Sequence, residues 1–230
     1  MSATERPIRI EDARPISYRA FSGSVDWTYN LRQGSLNDHG PGFSLAYGAL
    51  RGLEVGADLR YVTRPGRNAA RGISSGDIVL HALYGLTTET ASLPALAVRV
   101  GVEFPTGLDS KGTDLHLGAL ATRSFETFRV HANFAYTRLS AFGSNQRRER
   151  FAGVAGFDFL VGRATDTLVV ADLVARTNPV VDGKSVVTIE LGGKRRIGAQ
   201  TFFFVGAGTD VAGESDRARL RLRAGLTHVY

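Results

Sequence analysis

Five histidines, an arginine at every second residue near the C-terminus and a complete lack of cysteine define the chemistry open to this 230-residue chain. Without cysteine there is no disulfide framework, no thiolate nucleophile and no cysteine-ligated metal. His39, His81, His116, His131 and His228 show neither H-x-H nor HExxH spacing, so they read as hydrogen-bonded histidines and no metal or other cofactor is expected. Nucleophilic catalysis needs a serine within reach of a base. His131 shares a row with Asn133, but no serine facing it is identifiable, so an esterase is not expected and the chain reads as a non-enzyme. Gly192-Gly193-Lys194 and Gly206-Ala207-Gly208 lie in strand-like segments rather than at a strand-to-helix turn, which argues against a phosphate loop. Arg219, Arg221 and Arg223 form the arginine ladder. It is either an anion-attracting strip or one side of salt bridges to Asp26 or Glu190.

The elements that would carry these residues are strands. The last thirteen residues read ARLRLRAGLTHVY, with leucines on one row and arginines on the other. A period of two is the signature of a strand. The same alternation recurs along the chain. Phe21, Val25, Trp27 and Tyr29 oppose Ser22, Ser24, Asp26 and Thr28; Leu96, Val98, Val100 and Val102 oppose Ala97, Arg99, Gly101 and Glu103. At Thr201 to Thr209 three consecutive phenylalanines leave the facing ambiguous. About twelve strands of about 9–12 residues result, the length of tilted membrane strands. Residues 1–16 are polar, with Pro7 and Pro15, and read as a tail or strap; residues 17–230 read as one β-barrel. Connections near Arg51, Glu126, Arg163 and Gly198 are short, and Thr87 to Leu93 is the longest on that side. The alternate connections, mostly about seven to eleven residues, include Arg64 to Ser75, Ser140 to Glu149 and Asp210 to Arg217.

Composition narrows the class. Hydrophobic residues make up 43%, and no apolar run approaches the roughly 18 residues of a transmembrane helix. A membrane barrel remains, because alternation dilutes its hydrophobicity. The start, MSATERPIRIEDARP, has no apolar core of a signal peptide, so an exported protein would stand here in its mature form. The net charge of +6 reads as a solvated basic surface or as contact with phosphate-bearing lipid. Nucleic acid is a poor partner, since the basic residues are scattered over strands rather than gathered with aromatics.

The distribution of charge between rows points to a membrane barrel. One row of each clear strand holds Leu, Val, Ala, Phe and Tyr; its partner row holds the ionisable groups. The acids there are Asp26, Glu54, Asp58, Asp77, Glu103, Asp114, Asp158, Asp172 and Glu190. The bases are Arg60, Arg99, Arg129, Arg150, Arg176, Lys194, Arg219, Arg221 and Arg223. His81, His116 and His131 share that row. Arginine and aspartate mixed with small residues suit a crowded, wet interior of paired charges. The expected lumen lining is therefore this set. Aromatics near strand ends, such as Tyr61, Phe104, Tyr136, Phe159 and Tyr230, suit interfacial girdles.

Gly76-Asp77-Ile78 opening a strand, Gly101-Val102-Glu103-Phe104-Pro105-Thr106-Gly107 closing one, Thr113-Asp114-Leu115 starting the next and Glu11-Asp12-Ala13 in the tail carry a resemblance. With these motifs the chain resembles the outer-membrane transporter family named for the meta-pathway of phenol degradation. The resemblance implies a twelve-stranded up-and-down antiparallel barrel in the outer membrane of Gram-negative bacteria, passing small molecules. His228 stands where the family's barrel-assembly signal usually has a hydrophobic residue. The leading expectation is a monomeric all-β transmembrane barrel acting as a passive channel for small solutes through a narrow charged lumen. The alternatives are a plugged structural or adhesive barrel and a soluble or designed β-barrel. Outer-membrane lipid and lipopolysaccharide are the expected surroundings. The basic groups Arg64, Arg67, Arg71 and Arg147, Arg148 are candidates for lipopolysaccharide phosphates, with solvated loops as the plainer reading.

Overall fold

The structure, a computed structural model, describes residues 8–33, 37–63, 73–107, 110–162, 166–213 and 217–230. Twelve strands form one closed barrel. They are β1 (Phe21–Arg32), β2 (Asp38–Leu50), β3 (Leu53–Thr63), β4 (Ile73–Thr87), β5 (Ala95–Phe104) and β6 (Asp114–Ser124). β7 (Phe128–Arg138), β8 (Glu149–Val161), β9 (Thr167–Arg176), β10 (Val186–Arg196), β11 (Thr201–Ala212) and β12 (Ala218–Val229) complete it. Each strand pairs antiparallel with its sequence neighbours, and β12 closes on β1 with Asp26 opposite Gly225 and Thr28 opposite Arg223. Closure removes every sheet edge.

Alternation decides what faces where. Val25, Trp27, Leu45, Leu80, Val100, Leu117, Phe134, Leu222 and Leu226 stand exposed on the outer wall, while Ser22, Asp26, Glu54, His81, Thr122, His131 and Asp158 are buried inside. The three consecutive phenylalanines resolve: Phe202 and Phe204 point inward and are buried, and Phe203 points out.

Several strands run further than their turn-like residues predict. β2 starts at Asp38, and its His39-Gly40-Pro41 segment pairs with Tyr29, Thr28 and Trp27. β4 starts at Ile73 and has 15 residues. β11 continues through Asp210 to Ala212. The connections 33–37 and 213–217 are therefore only five residues long, shorter than expected for that side. β1 begins at Phe21. Arg19 takes a left-handed conformation with φ 65°, which turns the chain into the barrel wall.

Residues 8–16 run through the lumen as an inner strap. A single extended segment there has no sheet partner, yet its amides must be satisfied. The amides of Arg9, Ile10, Glu11, Ala13 and Ile16 donate to Glu190, Asp172, Asn133, Thr122 and Glu54, at 2.9–3.2 Å. The strap also carries grease inward. Ile8 and Ile10 pack on Leu168 and Val170, and Ala13 on Leu83, Ala97 and Leu120. These contacts explain why apolar side chains interrupt the polar inward rows. A buried isoleucine contributes about 1.5–3 kcal/mol.

Candidate solute path through the barrel

In the short-turn half the inward groups knit wall to strap. Arg129 donates to both oxygens of Asp158, at 2.8 and 2.9 Å, and to Asp12 Oδ2 at 3.0 Å. His131 Nε2 lies 3.1 Å from Asp158 Oδ2, and its Nδ1 lies 2.9 Å from Thr122 Oγ1. Thr122 is the hydroxyl partner of His131 that the sequence did not identify. Both residues are fully buried, and Thr122 also accepts the Ala13 amide, so the pair braces the strap. Lys194 is buried with its ammonium 4.9 Å from the Phe202 ring centre. At the end of β6, Arg14 binds Glu89 and donates to Ser124 Oγ at 2.8 Å, and the Ser124 amide donates to Glu89. Burial works against the Glu89 charge, but the Ser124 and Arg14 bonds outweigh it and hold the carboxyl below its usual range.

At mid-height Arg99 bridges the strap and the wall, 2.8 Å from Glu11 and 3.3 Å from Asp58. Asp58 also accepts from Ser44, and His81 Nδ1 lies 3.1 Å from it, though not aligned as a hydrogen bond. Glu54 is taken by the Ile16 amide. Asp172 and Glu190 sit directly opposite each other on β9 and β10. Two like charges there would repel; the strap's Arg9 and the Ile10 amide come between them and the lumen.

In the long-loop half Glu103 pairs with His116 at 2.8 Å. Asp77 accepts from Gly107 N and Ser110 Oγ, and Asp114 from Ser140 N, so both carboxylates brace loops. Arg221 donates to Glu190 and Arg223 to Asp26, each at 2.8 Å. Arg60 lies 3.7 Å from Asp26 and donates to Thr28. Arg219 departs from the expected lining. The pairing slips between Leu31 and Arg32, so that Arg32 faces Ala218. Ala218 takes the buried inward position, and Arg219 is left exposed beside Thr209 and Val211 at the barrel end.

Two groups of lining residues were missed. Arg9, Glu11 and Asp12 belong to the strap, whose alternation of Ile8 and Ile10 with charged neighbours was the available signal. Asp210 was read as a loop residue. It is buried inward and accepts from Thr188 Oγ1 at 2.6 Å and from the Ala218 amide at 2.8 Å; its place on the row of Phe204, Gly206 and Gly208 was the signal. Of the basic loop groups, Arg64, Arg67 and Arg71 lie outside the described residues. Arg147 bonds Asn178 O and Val181 O, tying two long loops together.

A cavity of about 650 Å³ remains beside the strap. Its lining includes Arg9, Glu11, Asp26, Asp58, Arg60, Arg99, Arg176 and Arg223.

The chain matches no protein-family model and no curated protein. It is similar in structure to an outer-membrane channel from Pseudomonas putida F1, with a TM-score of 0.77 at 16% identity over 97% of this chain and 100% of that one. The KdgM porin, solved in complex with disordered oligogalacturonate, superposes with a TM-score of 0.62 at 12% identity over 89% of this chain and 98% of that one. The NanC porin does so with a TM-score of 0.67 at 9% identity over 89% of this chain and 98% of that one. At these identities the likeness is one of fold, and the fold is that of outer-membrane β-barrel channels.

Proposed function

We propose that this chain is a monomeric barrel of the Gram-negative outer membrane and a passive channel for small solutes. The observation that carries the reading is the partition of the wall: leucine, valine and aromatic side chains outward, ionised pairs inward around a cavity of about 650 Å³. Such an outer surface suits acyl chains, and such an interior suits water and polar solutes. Lipid and lipopolysaccharide would then surround the barrel, with Arg148 on the long-loop side available to phosphates. The strap makes the passage narrow, since it occupies part of the lumen and is held by side chains from several strands.

The test is conductance of the purified protein in a planar bilayer. A small, steady current is expected; none above background at either polarity defeats the channel reading. The strap favours one competing reading, a barrel closed to solutes. In that case current would appear only after the strap is cut away.

A further inference from the structure

Around Asp26, Glu190 and Asp210 the pairing guanidiniums outnumber the carboxylates, and the two are not equally solvated. Arg60 and Arg223 pair with Asp26, Arg9 and Arg221 with Glu190, and Arg176 and Arg221 with Asp210. Five guanidiniums thus share three carboxylates. Counting Asp172, the neighbour of Glu190 across the β9–β10 pairing, still leaves one cation in excess among the described residues of this cluster.

Burial sharpens this imbalance. The side chains of Asp26, Glu190 and Asp210 are 3, 4 and 3% exposed, whereas those of Arg9, Arg176 and Arg60 are 30, 37 and 47% exposed. The carboxylates lie against the wall, and the arginines cover them and meet the lumen water. Four of the five arginines line the same cavity. Arg9 Nη1 is moreover buried and has no hydrogen-bond partner among the described residues. A buried donor of that kind calls for an acceptor.

We propose that Arg9, Arg60, Arg176, Arg221 and Arg223 form an anion-binding station in the lumen, selective for small carboxylates and other oxyanions. The planar fork of each arginine matches a carboxylate in two-point contact. Low-dielectric walls focus the field of the cluster toward the open end. The site deepens the channel reading above by giving the solute a charge class, and it rests on that reading for access from the long-loop side.

Arg60→Gln and Arg176→Gln are the informative changes. Asp26 keeps Arg223, and Asp210 keeps Thr188, the Ala218 amide and Arg221, so the fold does not depend on either guanidinium. Succinate, a small dicarboxylate, is titrated calorimetrically into the detergent-solubilised barrel at low ionic strength. Folding of each variant is checked by its heat-dependent electrophoretic mobility. Wild type is expected to bind, and the double variant R60Q/R176Q to bind about tenfold or more weakly, as the loss of charge-assisted hydrogen bonds implies. Arg51→Gln, at an exposed short turn, should bind as wild type does. Equal binding by the double variant, or no binding by wild type, overturns the site. In bilayers under a KCl gradient the zero-current potential should show chloride preference, moving toward zero in the double variant. A cation-preferring current overturns the inference. Succinate binding with no current at all leaves the site standing and defeats the channel reading instead.

Discussion

Arg129 is the residue on which the short-turn half depends. One guanidinium pairs with both Asp158 and Asp12, which are buried. Removing one partner of a buried pair leaves an uncompensated charge, so Arg129→Ala is expected to lower stability by about 3–5 kcal/mol. The check is the urea midpoint at which heat-dependent mobility is lost. Glu89 offers a pH test at the same end of the barrel. Its carboxyl is held below the usual range, so its contribution is present above the ordinary carboxylate range and is lost as pH falls through the lowered folded value. The stability gap between wild type and Glu89→Gln should therefore hold steady at neutral pH and close below about pH 4. A gap that widens in acid would contradict the Arg14–Glu89–Ser124 arrangement.

At the scale of elements, the strap and the strands obey different rules. A strand in the wall satisfies its amides from its neighbours, wherever its side chains point. The strap has only side chains to rely on, and so its position depends on Glu190, Asp172, Asn133, Thr122 and Glu54 being inward together. Its apolar anchor is Ile10, buried against Leu168 and Val170. Ile10→Ala is expected to cost the strap about 2–5 kcal/mol of attachment. The readout is proteolysis: the N-terminal segment should become cleavable under conditions where the barrel still runs as folded. If strap and barrel are lost together, the two form one cooperative unit.

For the whole molecule, the outward apolar row is the feature that makes a closed barrel compatible with a bilayer. Leu222 sits within that row on β12, between inward Arg221 and Arg223. Leu222→Arg should cost about 2–4 kcal/mol if the position lies near the bilayer midplane. Refolding equilibria in lipid vesicles would measure it, and an unchanged equilibrium would argue against lipid on that face.

Much of this was legible in the chain. Alternation, as over Phe21–Tyr29, Leu96–Val102 and Ala218–Tyr230, determined twelve strands and which side chains share a row, because a strand's side chains alternate whatever it pairs with. The pairing of β12 with β1, which brings Arg223 to Asp26, followed from closing an even-stranded barrel. Other features needed the folded barrel. Arg219 continues the row of Arg221 and Arg223 yet is exposed at the barrel end, because a slipped register is a property of two strands. The three consecutive phenylalanines do not alternate in polarity, and their facing shows only in the barrel, where Phe204 pairs with Lys194 and Gly225. The strap's path and the balance of exposed arginine over hidden carboxylate arise from residues as far apart as Arg9 and Glu190. A local pattern reports which face a side chain is on, but what meets it there is decided by closure of the whole wall around the N-terminal segment.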